Sequence, residues 1–157
     1  MSDKLHHYRT TLKWIGNTGT GTSAYTEYKR DYVVSSSGKP DIPGSADAVF
    51  RGDNTRWNPE DLLVASVSAC HKLWYLHLCA VNNVIVTAYE DEAEGEMQED
   101  KERGGSFKKI ELRPRVTIST ESDASVALDL HHKAHELCFI ANSVNFPVSC
   151  EAEIVKR

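Results

Sequence analysis

The sequence predicts one α+β domain over residues 1–157, with antiparallel sheets around a long buried central helix. Three observations carry this. Segments of period-2 alternation flank a continuous apolar run of helical length, a second helical pattern follows, and no repeat, low-complexity tract or linker divides the chain. Composition agrees, with 40% hydrophobic and 26% charged residues in 157, enough for one core and too few for two comfortable ones.

The elements follow in order. Tyr8 to Ile15 alternates Tyr8, Thr10, Leu12 and Trp14 against Arg9, Thr11 and Lys13, which predicts a strand with one buried face. GNTGTGTS, residues 16–23, looks like a phosphate-cradling loop, but it lacks the lysine and the following helix of one, so it reads as a strand connection. Tyr28 to Val34 is a second strand. Ser35 to Ser45 is a loop rich in Ser, Gly and Pro, and Ala48 to Phe50 is a short strand.

Asn58 then caps a helix opened by Pro59, Glu60 and Asp61 and stopped by Asn82-Asn83, so the helix spans Pro59 to Val81. From Leu62 to Val81, 15 of 20 positions are apolar, Ala or Cys. That length matches a membrane span, yet Ser66, Ser68, His71, Lys72 and His77 argue against insertion. A helix apolar nearly all round should be buried on most sides, which one small domain can scarcely do alone. Dimerisation through this helix is expected.

Val84 to Met97 and the partner segment FKKIELRPRVTIST form a hairpin across a charged connection. Ser122 or Asp123 caps a second helix with Val126, Ala127, Leu130, Ala134, Leu137 and Cys138 at helical spacing. Val144 to Val155 is the last strand, placed at an edge or given a bulge by Pro147.

Eighteen basic and 23 acidic residues give a net charge of −5, which makes nucleic acid and anionic membranes poor default partners. The start, MSDKLHHYRTTLKW, has no apolar signal core, so a cytoplasmic, reduced protein is expected. Its four cysteines are then either buried hydrophobes or reactive thiols. Cys79 and Cys150 read as core fillers. Residue type leaves Cys70 and Cys138 open between the two roles. His131, His135 and Cys138, at i, i+4 and i+7, offer a zinc-like face that Cys70 could complete, but no Cys-x-x-Cys pair accompanies them.

WNPEDLLVASVSACH, followed by a β-hairpin and then HELCFIANSVNFPV, resembles the OsmC/Ohr family (osmotically induced protein C and organic hydroperoxide resistance protein). The resemblance runs from KWIGNTGTGT to VSCEAEI. It rests on Asn58-Pro59-Glu60 at the helix start, Cys70 ten residues after that glutamate, and Cys138 in the later helix. It implies the OsmC-like fold as an intertwined homodimer that reduces organic or lipid hydroperoxides with thiols. Cys70 would be the peroxidatic thiol and Cys138 the resolving one, 68 residues later. An arginine before the NPE motif, held by Glu60, would favour the Cys70 thiolate. Arg51 is preferred to Arg56 because its separation from Asn58 is closer to the family's.

Glu60 and Cys70 on one straight helix would lie about 15 Å apart. Either the arginine bridges that gap, the helix is irregular, or a second subunit supplies the group. His71, beside Cys70, reads as a polar group facing a cleft or the partner helix. The resemblance implies no bound cofactor, and no metal site is assigned. A dithiol, a lipoyl protein or small thiol, would restore the cysteines. Trp57, Trp74, Tyr75, Phe139 and Phe146 could line an apolar substrate pocket, although core packing is the commoner fate of such residues. The alternative is an apolar-ligand binding protein on the same fold, with idle thiols.

Overall fold

The computed structural model describes residues 3–157. The chain divides into two units, Met1–Leu62 and Leu63–Arg157, with the boundary inside the long helix.

In the N-terminal unit, β1 (Thr11–Trp14), β2 (Tyr32–Ser35) and β3 (Ile42–Gly44) form an antiparallel meander in that order. The connection after β1 holds Gly16 so close to the Lys29 carbonyl that a Cβ would lie 1.8 Å from its oxygen. Trp14 packs edge-on against Tyr28, and its indole Nε1 donates to the Lys29 carbonyl at 2.8 Å. The expected buried face of the first strand is absent: all four β1 residues are exposed, Leu12 at 63%. Every buried hydrophobic residue among those described belongs to the other unit, so this meander has no core layer of its own. The expected strand at Ala48 to Phe50 is a 3₁₀ turn. Asp47 caps it by accepting from the Val49 N–H, a local hydrogen bond that competes with strand pairing. The strand lies instead in the predicted loop, at β3.

Helix α1 spans Pro59–Val81, with the bounds that the cap and stop signals predict. The Asn58 side chain accepts from the Asp61 N–H at 2.7 Å, and Glu60 and Asp61 sit at the positive end of the helix dipole. Within the C-terminal unit its core face repeats every fourth residue: Val67, His71, Tyr75 and Cys79. The stripe through Ala65, Ala69, Leu73 and His77 is exposed, so the helix is not buried on most sides within this chain.

After α1 come β4 (Val86–Asp91), β5 (Glu94–Gln98), β6 (Ser106–Leu112), β7 (Pro114–Ile118), α2 (Ala124–Leu137), β8 (Val148–Cys150) and β9 (Glu153–Lys156). Each of the three long predicted strands is split in two and shared between sheets. One sheet has the order β4-β7-β9 and the other β5-β6-β8. The β4–β7 and β5–β6 pairs are antiparallel, whereas β8 on β6 and β9 on β7 are parallel. Strand direction at an edge leaves no local mark in a sequence, so the parallel pairs escape an antiparallel expectation. The break between β6 and β7 is at Arg113, the residue before Pro114, where helical backbone is disfavoured. Asp91 holds this corner by accepting from the Arg113 N–H at 2.7 Å. Pro147 precedes β8, and both β8 and β9 are edge strands, as the proline suggests.

Two apolar clusters fill the unit. Tyr75, Cys79, Val116, Ile118, Ala127 and Ala134 form one. Val67, Ile110 and Leu112 form the other, with Phe107 and Phe146 packed against it. Asp123 caps α2, accepting from the Ser125 and Val126 N–H groups, a contribution of about 1 kcal/mol.

Candidate functional site

Helix α1 carries Cys70 one position before its buried His71 and half-buries it. Helix α2 ends at Leu137, and Cys138 is its C-cap, fully buried. The turn after α2 folds over that sulfur, with the Ala141 N–H donating to Cys138 Sγ at 3.4 Å. The two thiols, 68 residues apart in sequence, lie near enough for the Cys70 sulfur to act on the Cys138 thiol, and both are free. Burial pushes the Cys138 thiol up to about 11, with the Cys70 sulfur adding to the rise and the Ala141 N–H opposing it. Cys138 therefore stays protonated at neutral pH, while Cys70 is the more accessible sulfur of the pair.

Arg51 and Glu60 belong to the N-terminal unit. Arg51 ends the 3₁₀ turn with left-handed backbone, φ 63°, and its guanidinium lies 5.8 Å from the Tyr25 ring centroid. Arg56 is committed elsewhere: its Nε donates to the Gly44 carbonyl at 2.9 Å and its Nη2 to the Tyr32 carbonyl at 3.1 Å. Glu60 stands in the first turn of α1, which runs to Val81 as continuous α-helix. Burial raises the Tyr32 hydroxyl above its ordinary value, and the Glu60 charge raises it further.

The aromatic residues do not gather into one pocket. Tyr75 is fully buried in one cluster, and Phe146 stacks on Phe107 in the other. Trp74 meets Phe139 edge-on at 5.5 Å, and Trp57, in the N-terminal unit, is half-exposed. Cys79 is buried in the core as expected.

The histidines combine differently from their sequence spacing. His135 is exposed and Cys138 is buried, and among the described residues the ligand atoms that gather with His131 are those of His71 and Cys150, so the i, i+4, i+7 face does not converge. His71 is turned into the core. It is 1% exposed, and its Nε2 lies 2.9 Å from His131 Nδ1. Cys150, expected to be a core filler, places its Sγ 3.8 Å from each of those nitrogens. Burial pushes His71 down to about 4, with His135 adding to the fall and Asp91 opposing it. Burial and then the His71 and His132 rings push His131 down to about 3. Burial, reinforced by the Asp91 carboxylate, pushes the Cys150 thiol up to about 12. Near neutral pH the trio is two uncharged imidazoles and a thiol.

The signal for His71 was present in the sequence, because its spacing from Val67, Tyr75 and Cys79 sets it on the buried face of α1. Cys150 had none, since the parallel pairing of β8 with β6 delivers it.

No curated protein sequence matches the chain. Among solved structures, the chain is similar to an OsmC-like protein of unknown function from Vibrio cholerae, at 29% identity and a TM-score of 0.83, covering 95% of this chain and all of that one. An organic hydroperoxide resistance protein from Elizabethkingia anophelis shares the fold at 18% identity and a TM-score of 0.71, covering 99% of this chain and 100% of that one. The organic hydroperoxide resistance protein OhrB of Bacillus subtilis does so at 22% identity and a TM-score of 0.60, covering 96% and 99%. The family model for OsmC-like proteins matches residues 52–153, from the turn after Arg51 to the start of β9 and so well over half of the sequence, and the chain belongs to the OsmC-like protein family.

Proposed function

We propose that the protein is a thiol peroxidase that reduces organic or lipid-like hydroperoxides to alcohols. The observation that carries this reading is the nearness of two free thiols, half-buried Cys70 and buried Cys138, close enough for one sulfur to act on the other. Membership of a family whose solved structures include organic hydroperoxide resistance proteins supports the same redox role. The Cys70 thiolate attacks the distal peroxide oxygen, the O–O bond breaks, and the alkoxide leaves as alcohol after taking a proton. Cys70 becomes a sulfenic acid. The protonated Cys138 then condenses with it, forming a disulfide and releasing water. A dithiol, either a lipoyl protein or a small thiol, reduces the disulfide and closes the cycle. The cysteines carry both electrons, so the cycle requires no bound cofactor.

Steady-state consumption of cumene hydroperoxide with a dithiol tests the reading. Turnover is expected; a protein inert in this assay is the apolar-ligand binding alternative.

The proposal assigns thiolate stabilisation to Arg51, oriented by Glu60 and supplied by the same chain or the partner subunit. Arg56 is a poorer candidate because two backbone carbonyls already hold its guanidinium. Removing a cation from beside a thiolate disfavours it. Arg51→Ala should therefore slow single-turnover oxidation at neutral pH at least about tenfold. An unchanged rate in Arg51→Ala, with a slowed one in Arg56→Ala, transfers the role to Arg56.

The working unit is proposed to be a cytoplasmic homodimer. The exposed stripe on α1, with Leu73 62% exposed, and the coverless meander around Leu12 leave apolar surface for a second copy to bury. Sedimentation velocity should give twice the chain mass across micromolar concentrations; a monomer throughout that range rejects the dimer.

A further inference from the structure

We propose that His71, His131 and Cys150 form a binding site for one zinc-class divalent transition-metal ion, separate from the Cys70–Cys138 pair. Three elements of one unit deliver the ligands: α1 gives His71 Nε2, α2 gives His131 Nδ1, and β8 gives Cys150 Sγ. All three atoms lie within 4.8 Å of one another.

The triangle they make has nearly the dimensions of one face of a tetrahedral zinc centre. With Zn–N near 2.0–2.1 Å and Zn–S near 2.3 Å, that face has an N···N edge of about 3.4 Å and N···S edges of about 3.5–3.6 Å. The corresponding edges are 2.9, 3.8 and 3.8 Å. The nitrogens need to part by about 0.5 Å and the sulfur to approach by about 0.2 Å, which small side-chain rotations provide. The donor set is selective. Two imidazoles and a thiolate suit zinc and its borderline neighbours, whereas magnesium and calcium require oxygen ligands.

Without an ion, His71 Nε2 and His131 Nδ1 share a hydrogen bond, one ring donating to the other, and the remaining ring nitrogens are left over. His71 and His131 are 1% and 4% exposed, and the far nitrogens, His71 Nδ1 and His131 Nε2, have no hydrogen-bond partner among the described residues. Burying such groups unsatisfied is unfavourable. Metal–ligand bonds at the facing nitrogens would offset that cost. The surroundings favour a cation and hold the rings. The Asp91 carboxylate acts electrostatically on both His71 and Cys150, and Tyr75 stacks on the His131 ring with centroids 3.8 Å apart.

Entry is available. A cleft of about 220 Å³ reaches His131 and Cys150, with His132 and His135 also on its wall. With three protein ligands, the ion's fourth position is left for water or a small anion from this cleft, as in zinc centres that keep an open coordination position. On binding, the Cys150 S–H bond breaks, its proton passes to solvent, and the S–metal bond replaces it.

The test is Co²⁺ titration of the full-length, reduced, chelator-treated protein. One equivalent per chain should produce a thiolate-to-cobalt charge-transfer band with tetrahedral d–d absorption, and Zn²⁺ should abolish both by displacement. Cys150→Ser should lose the charge-transfer band, and His131→Asn should bind more than about tenfold more weakly. Cys70→Ser and Cys138→Ser should keep the spectrum. Absence of a stoichiometric band in the wild type overturns the proposal. So does a band that survives Cys150→Ser and disappears in Cys70→Ser or Cys138→Ser, which places the ion at the other thiol pair. Far-ultraviolet circular dichroism checks that the variants fold. If Cys150→Ser does not, Cys150→Ala and His71→Asn take its place: a folded variant of either kind must weaken Co²⁺ binding more than about tenfold, and unchanged binding in a folded variant rejects the site.

Discussion

Replacing Cys70 by Ser should abolish hydroperoxide consumption, a loss on the order of a thousandfold or more, because a serine hydroxyl does not supply the thiolate that attacks the O–O bond. Cys138→Ser should behave differently. Cys138 is buried and protonated, so its removal leaves the attack intact and prevents the condensation that follows. One equivalent of hydroperoxide per site should then be consumed in a burst, after which turnover stalls with Cys70 held as sulfenic acid. Stopped-flow peroxide consumption and trapping of the sulfenic acid by dimedone read the two stages. Full activity in Cys70→Ser rejects the mechanism. Full steady-state activity in Cys138→Ser removes the disulfide step and leaves reduction to an external thiol acting directly on the sulfenic acid.

The largest loss of stability is expected from Tyr75→Ala. Tyr75 is fully buried on the core face of α1, where it stacks on His131, tilts against Tyr89 at 5.9 Å and donates from its hydroxyl to the Ala127 carbonyl at 3.0 Å. Truncation opens a cavity between α1 and α2 and should cost about 4 kcal/mol, or roughly 10 °C in Tm for a domain of this size. Tyr75→Phe retains the ring and loses only the hydrogen bond, at about 1 kcal/mol. Urea denaturation followed by circular dichroism measures both. A Tyr75→Ala protein within 1 kcal/mol of wild type, an order-of-magnitude threshold set by the ordinary surface substitution, would mean that the site collapses without a cavity.

Helix α1 was legible to the residue because its signals are local: Asn58 at the cap, Pro59 in the first turn, and the Asn82-Asn83 stop. The capping of α2 by Asp123 was legible for the same reason. The expectation failed where the outcome depends on the rest of the chain. Val84 to Met97 alternates as one strand, yet it is divided at Glu92 and Ala93 because its two halves pair with different partners. The exposure of Leu12 is likewise invisible in β1, since alternation records a potential buried face and not what covers it. In the candidate site, Cys70 and Cys138 were named from the family pattern, by their order and spacing. The regrouping of His71, His131 and Cys150 was not legible, because three elements far apart in sequence must pack before it exists.

The division of the last strand has a consequence for how the C-terminal unit holds together. Residues 148–156 supply an edge strand to each of two sheets, separated by only Glu151 and Ala152. One short segment thus acts as a clasp: both sheets wait on the same few residues, and neither can release its edge without straining the other. Opening at this edge should be cooperative, so that amides of β6 and β7 exchange with solvent as a single unit although the two strands belong to different sheets. Both parallel pairings also close loops of nearly forty residues, which places them among the slow, late events of folding.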